Sequence, residues 1–134
     1  MHKSIARLAI VLLLSGCAAS SQPSDNNLVQ KKSTEQAAWN KLEGLSAAKC
    51  GVSPLPPART DAVKVSNCVT TLVKEYVLPH AVFPDLLLSS RTEALDIAER
   101  YANGEISAGE YKKLSEERLK NYRSSLSYFI NQQA

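Results

Sequence analysis

Asn103-Gly104-Glu105-Ile106-Ser107-Ala108-Gly109-Glu110-Tyr111 reads as a helix stop followed within a few residues by a helix start. Glycine after asparagine supplies the left-handed residue on which helices commonly end, because it has no Cβ to clash in that conformation. Ser107 and Glu110 have the spacing of a capping box, in which each side chain accepts a hydrogen bond from the other residue's backbone amide. Ile106 and Tyr111 occupy the two positions of a hydrophobic staple around that box. A connection this short makes the flanking helices antiparallel neighbours, so the stretch predicts a helical hairpin and, with it, an all-α fold.

Working outward from the turn, Ser90-Arg91-Thr92-Glu93 has the same capping-box spacing, and Ala94, Leu95, Ala98, Tyr101 and Ala102 continue a helical face to the glycine stop. The first hairpin helix is therefore expected to begin at Ser90. On the far side, Leu114, Leu119, Tyr122, Leu126, Phe129 and Ile130 carry an apolar stripe toward the C-terminus. The run Gly104-Glu105-Ile106-Ser107-x-x-Glu110-Tyr111 resembles the turn of SHOCT domains, which are short C-terminal helical hairpins, and Lys112 or Lys113 lies near that family's lysine position. The first helix departs from the family, with Ala94, Ala98 and Ala102 where it carries several large residues. The resemblance implies a helical hairpin and an interaction role.

Upstream, residues 28–48 favour helix, with Ala38, Trp39, Leu42 and Leu45 at helical spacing and Cys50-Gly51 as its end. Trp39 reads as an anchor at the edge of the core. Ser53-Pro54-Leu55-Pro56-Pro57 cannot be helical and serves as a spacer. A second helix starts near Thr60 or Asp61, either a competent N-cap, and Val65, Cys68, Val69, Leu72 and Tyr76 define its buried face. Pro79 ends that helix. Residues 79–90 then form an apolar loop without clear periodicity, with a short turn of helix after Pro84. Its Val82, Phe83, Leu86, Leu87 and Leu88 either close the core or line a groove for another protein. They are the candidate partner-binding residues.

The N-terminus speaks to location. His2, Lys3 and Arg7 precede a short apolar run from Leu8 to Leu14, and Leu14-Ser15-Gly16-Cys17 puts a cysteine behind two small residues. The run is much shorter than the roughly 20 residues that cross a bilayer core. Ordinary secretion would leave Cys17 as an odd exposed thiol in an oxidising compartment. The stretch resembles a bacterial lipoprotein signal peptide. That resemblance implies cleavage before Cys17, a diacylglycerol on its sulfur and, usually, a further palmitate-type chain on the new amine. Several acyl chains, at about 0.8 kcal/mol per buried methylene, make release from a membrane negligible. In enteric-type bacteria the family tends to be retained in the inner membrane by an aspartate after the cysteine; Ala18 stands there, which points to the periplasmic face of the outer membrane.

Residues 1–16 are then the signal peptide, 17–27 a lipidated flexible tether of small and polar residues, and 28–134 a single helical domain. Cys50 and Cys68 face an oxidising compartment in such a protein, and a disulfide between them is expected; a loop of this size stabilises by about 3 kcal/mol in the chain-entropy account. Zinc would need further ligands, and the mature chain offers only His80, a lone histidine beside a proline and more naturally structural than catalytic.

The formal charge of +3 shrinks toward neutrality once Lys3 and Arg7 leave with the signal, which removes the argument for nucleic acid as a partner. No nucleophile elbow, phosphate-binding glycine loop or metalloprotease motif occurs, so neither an enzyme nor a cofactor nor a metal is expected. The sequence thus predicts a small bundle of about four helices with one disulfide. Its expected role is that of a protein-binding envelope component, an escort or assembly factor held to the membrane through the lipid on Cys17. In size, lipidation and architecture it is similar to pilotins, although no pilotin motif is matched. The alternative is an inhibitor or immunity-type lipoprotein that blocks an enzyme.

Overall fold

The computed structural model describes residues 22–52 and 56–133. They form four α-helices, with no strand among them: α1 (Gln22–Cys50), α2 (Ala62–Leu72), α3 (Pro84–Ala102) and α4 (Ala108–Gln133). The helices pack in chain order, α1 against α2, α2 against α3 and α3 against α4. The expected signal peptide, Cys17 and residues 18–21 of the expected tether lie outside the described residues. The tether's last residues do not, since α1 begins at Gln22 instead of near Leu28. Once a helix is nucleated by the packed turns that follow, extending it through polar residues costs little.

The hairpin forms as its sequence predicts. Gly104 sits at φ +78°, and the amides of Gly104 and Glu105 bond to the carbonyls of Tyr101 (3.1 Å) and Arg100 (2.9 Å), the two bonds of a Schellman motif. The Ser107 amide donates to Glu110 Oε2 at 3.0 Å and the Glu110 amide to Ser107 Oγ at 3.1 Å, so the capping box is reciprocal. Ile106 and Tyr111 are both buried in one cluster with Ala62, Ile97, Ala98 and Tyr101. A short 3-10 turn at Arg59–Asp61 closes this end of the bundle. Arg59 Nη1 donates to the carbonyls of Tyr101 (2.6 Å) and Ile106 (3.0 Å), and its guanidinium lies 4.5 Å from the centre of the Tyr101 ring.

At the other end, the main core joins Leu42 and Cys50 of α1, Leu72, Val73 and Val77 at and beyond the end of α2, Leu87 of α3 and Tyr122 of α4. Trp39, Leu45 and Ala38 pack against it, so the expected inner face of α1 is the observed one. Gly51, at φ +65°, follows the end of α1. The Cys50–Cys68 disulfide, with Cα atoms 5.6 Å apart, ties that end to the middle of α2.

Three expectations need correction. The buried face of α2 is wider than the expected one: Leu72 is buried and Cys68, Val69 and Tyr76 pack half-buried against the main core as expected, while Ala62 and Ser66 are buried as well and Val65 is only half-buried. After Leu72 the helix widens into a π turn at Val73–Val77 and tightens into a 3-10 turn at Leu78–His80. The chain becomes extended only at Ala81, just beyond Pro79, whose ring nitrogen has no hydrogen to continue the ladder.

Residues 84–90 are the first two turns of α3, not a loop, and Ser90 lies buried inside that helix. Pro84 at the first helical position starts it, with its φ already helical and no amide to leave unpaired. On α4, Leu119 is 38% exposed and Phe129 44% exposed, while Arg118 turns inward at 8%. The inner face of α4 therefore runs through Tyr111, Arg118 and Tyr122, and a polar layer separates the two apolar clusters.

Candidate functional site

Glu35 organises the end of the bundle where the sequence placed the partner-binding residues. It lies one helical turn before Trp39 and two before Leu42, so it shares their inward face and is 2% exposed. Its Oε1 accepts from the Tyr122 hydroxyl at 2.5 Å and from Trp39 Nε1 at 3.2 Å, and its Oε2 accepts from the Val82 amide at 2.9 Å. All three donors are neutral, and they come from α1, α4 and the segment before α3. One carboxylate thus bolts the chain entering α3 to the first and last helices. Trp39 and Tyr122 also meet edge to face, with centroids 6.2 Å apart. Burial, reinforced by the hydrogen bond to Glu35 and its charge, holds the Tyr122 phenol well above its ordinary range.

The segment pinned at Val82 presents Phe83. Its ring packs 5.7 Å from that of Phe129 on the last turns of α4, and Tyr128 meets Phe129 edge to face at 5.5 Å. Phe83 is half-buried, but Phe129 is 44% and Tyr128 59% exposed. The physical reason lies in the antiparallel register: α3 begins at Pro84, so it offers no further turn to cover α4 beyond Phe129. Leu86 and Leu126 are half-buried and packed on the main core. The result is an aromatic patch on a firm base.

The sequence-predicted residues divide across this site. Val82, Phe83, Leu86 and Leu88 are half-buried; Phe83 is part of the patch, and Leu86 packs on the main core. Leu87 is 1% exposed and belongs to the main core, so it leaves the set of binding candidates. Tyr128 lies outside the apolar stripe expected on α4, whereas Phe129 is a member of it. The clue available in the sequence was Tyr128-Phe129-Ile130, three large apolar residues in succession, which one helix face cannot bury together.

His80 is exposed and lines an open depression with Thr34, Lys41, Glu75 and Tyr76. No hydrogen bond joins its ring to a carboxylate or hydroxyl among the described residues, and no group of His, Cys, Asp and Glu there has the arrangement of a metal site. No helix among them is long and apolar enough to cross a membrane. No protein family, curated protein or solved structure matches this chain. The functional reading therefore rests on the geometry and on the N-terminal sequence.

Proposed function

We propose that this protein is a lipid-anchored component of the cell envelope, fixed by Cys17 at the periplasmic face of the outer membrane, that binds another envelope protein through the Phe83, Tyr128 and Phe129 patch. The observation that carries the binding role is the exposure of Tyr128 and Phe129, held by Phe83 on a segment that a buried carboxylate locks in place. Rigid aromatic side chains exposed together lose little conformational entropy on binding and supply large contact areas, which is why they concentrate binding energy at protein interfaces. The membrane anchorage rests on the residues from His2 to Cys17, and the Cys50–Cys68 disulfide fits a protein exported to an oxidising compartment. An apolar patch suits the escort of a partner's helix or strand better than the plugging of an enzyme's active site, which calls for a protruding polar loop.

A photoactivatable phenylalanine analogue at position 129, compared with one at the exposed Lys112 of the same helix, tests the reading in intact cells. Position 129 is expected to crosslink to a discrete envelope protein and Lys112 is not. The Cys17→Ser protein should lose most of that crosslink, because it no longer concentrates at the membrane. Equal labelling from both positions would contradict a specific patch.

A further inference from the structure

The two longest helices, α1 and α4, leave the bundle at one end, and it is the end that carries the aromatic patch. α1 runs antiparallel to the chain from α2 to Val82: Cys50 is bonded to Cys68, Lys41 lies 5.1 Å from the centre of the Tyr76 ring, and Glu35 accepts from the Val82 amide. Before Glu35 it continues outward, and from Asn26 to Thr34 every residue except Leu28 is exposed. α4 starts at the opposite end, where Tyr111 packs in one cluster with Ala62 at the beginning of α2, so it too runs toward the Val82 end.

The hydrogen bond from the Tyr122 hydroxyl to the Glu35 carboxylate sets the two helices level with each other. Phe129, seven residues beyond Tyr122, therefore comes abreast of Leu28, seven residues before Glu35, and at 1.5 Å per residue both stand about 10 Å further out. Gln22, where α1 begins, is about 20 Å out from Glu35. Cys17 precedes Gln22 by only five residues, which cover at most about 18 Å even when fully extended. A lipid on Cys17 thus keeps the patch within about 30 Å of the membrane surface.

Past Leu28 and Ile130 neither helix carries a large apolar residue. α1 has Gln22-Pro23-Ser24-Asp25-Asn26-Asn27 there, and α4 has Asn131-Gln132-Gln133. Polar helix ends pay a desolvation cost to enter hydrocarbon, so they stop at the headgroups and hold the rings of Tyr128 and Phe129 in the water layer above the bilayer. What seats on the rings occupies the gap between the end of the bundle and the headgroups. That gap admits a helix, about 10–12 Å across, or a strand, whereas even a small globular domain is about 30 Å in diameter.

We infer that the patch docks a segment of a protein embedded in the same membrane, at the place where that segment emerges from the bilayer. The inference rests on the lipid anchor and the aromatic patch of the preceding reading, and it names the class of partner.

Two readouts on the full lipidated chain test it, at positions 129 and 105, both exposed and at opposite ends of α4. In vesicles of phosphatidylethanolamine and phosphatidylglycerol, a fluorescent amino acid at position 129 is expected to transfer energy to acceptor-labelled headgroups at least about threefold more efficiently than one at position 105, which lies roughly 30 Å further from the anchor along α4. Equal transfer would mean that the bundle lies flat or tumbles freely, and it overturns the inference whatever the patch binds. In cells, the adduct of a photoactivatable phenylalanine analogue at position 129 is digested and its peptides are sequenced by mass spectrometry. The captured peptide is expected to adjoin a bilayer-spanning segment of its protein. A peptide from a soluble protein overturns the inference and leaves the patch standing as a binding surface. A phospholipid adduct, or the absence of any discrete adduct, removes the patch reading and the inference with it.

Discussion

Glu35 shows how much of this molecule depends on single polar residues that sequence patterning assigns to the surface. Its three hydrogen bonds come from three parts of the chain, and removing the carboxylate strands a phenol, an indole and a backbone amide in the core. Each stranded buried donor costs about 1–3 kcal/mol, less than additively, so Glu35→Ala is expected to lose about 3 kcal/mol in urea denaturation. A loss below about 1 kcal/mol would show that the network is idle. Tyr122 gives a pH signature. Its folded pKa is raised, so above its unfolded value near 10 the unfolded chain releases a proton that the folded chain keeps. The stability this confers is fully present below about pH 10 and is lost as pH rises further, by up to about 1.4 kcal/mol per pH unit. Arg91, with its pKa lowered to about 10, acts in the opposite sense above that pH, because its folded form releases a proton first. The difference between wild type and Tyr122→Phe in alkaline urea titrations isolates the tyrosine, with the variant losing less stability per pH unit. None of Glu35, Arg91 or Arg118 was legible as buried, because a charged residue on an apolar face is read from pattern alone as a break in the face.

At the scale of elements, what was legible had local chemistry behind it. The hairpin turn is written in adjacent residues, with glycine at positive φ, a reciprocal capping box and a staple, and all of them formed. Nothing approaches within 4 Å of a Cβ built on Gly104, so the cost of Gly104→Val is conformational and is expected to exceed about 1 kcal/mol. Measured by thermal denaturation, a neutral effect would mean that the turn tolerates another conformation. The start of α3 was misread because two helix-start signals compete within it. Ser90-x-x-Glu93 has the letters of a cap, but Pro84 comes first and the burial of Leu87 carries the helix through. Ser90 instead holds Arg118, so Ser90→Ala should destabilise by about 1–3 kcal/mol through the stranded guanidinium. The apolar run at 86–88 looked aperiodic for the same reason, since Ser90 and Arg91 continue its buried face with polar residues.

The described residues form a sequential packing of four helices whose two apolar clusters are separated by a charged layer, with a disulfide tie and an uncovered aromatic edge at Tyr128 and Phe129. The tie was legible because the export that the N-terminal resemblance implies leaves Cys50 and Cys68 to pair, and the uncovered edge was not, because its exposure comes from where α3 begins. The central claim is that this edge is kept exposed for a partner. It is tested most directly by replacing Phe129 with aspartate in the full chain and measuring recovery of the partner captured by a photoactivatable residue at position 128, together with the thermal midpoint. The account predicts a loss of partner recovery of at least tenfold, equivalent to about 1.4 kcal/mol or more, with the midpoint lowered far less than for a core residue, because Phe129 is 44% exposed and loses only its contacts at the edge with Phe83 and Tyr128. Undiminished recovery, or a midpoint that collapses as it would for a core residue, would contradict it.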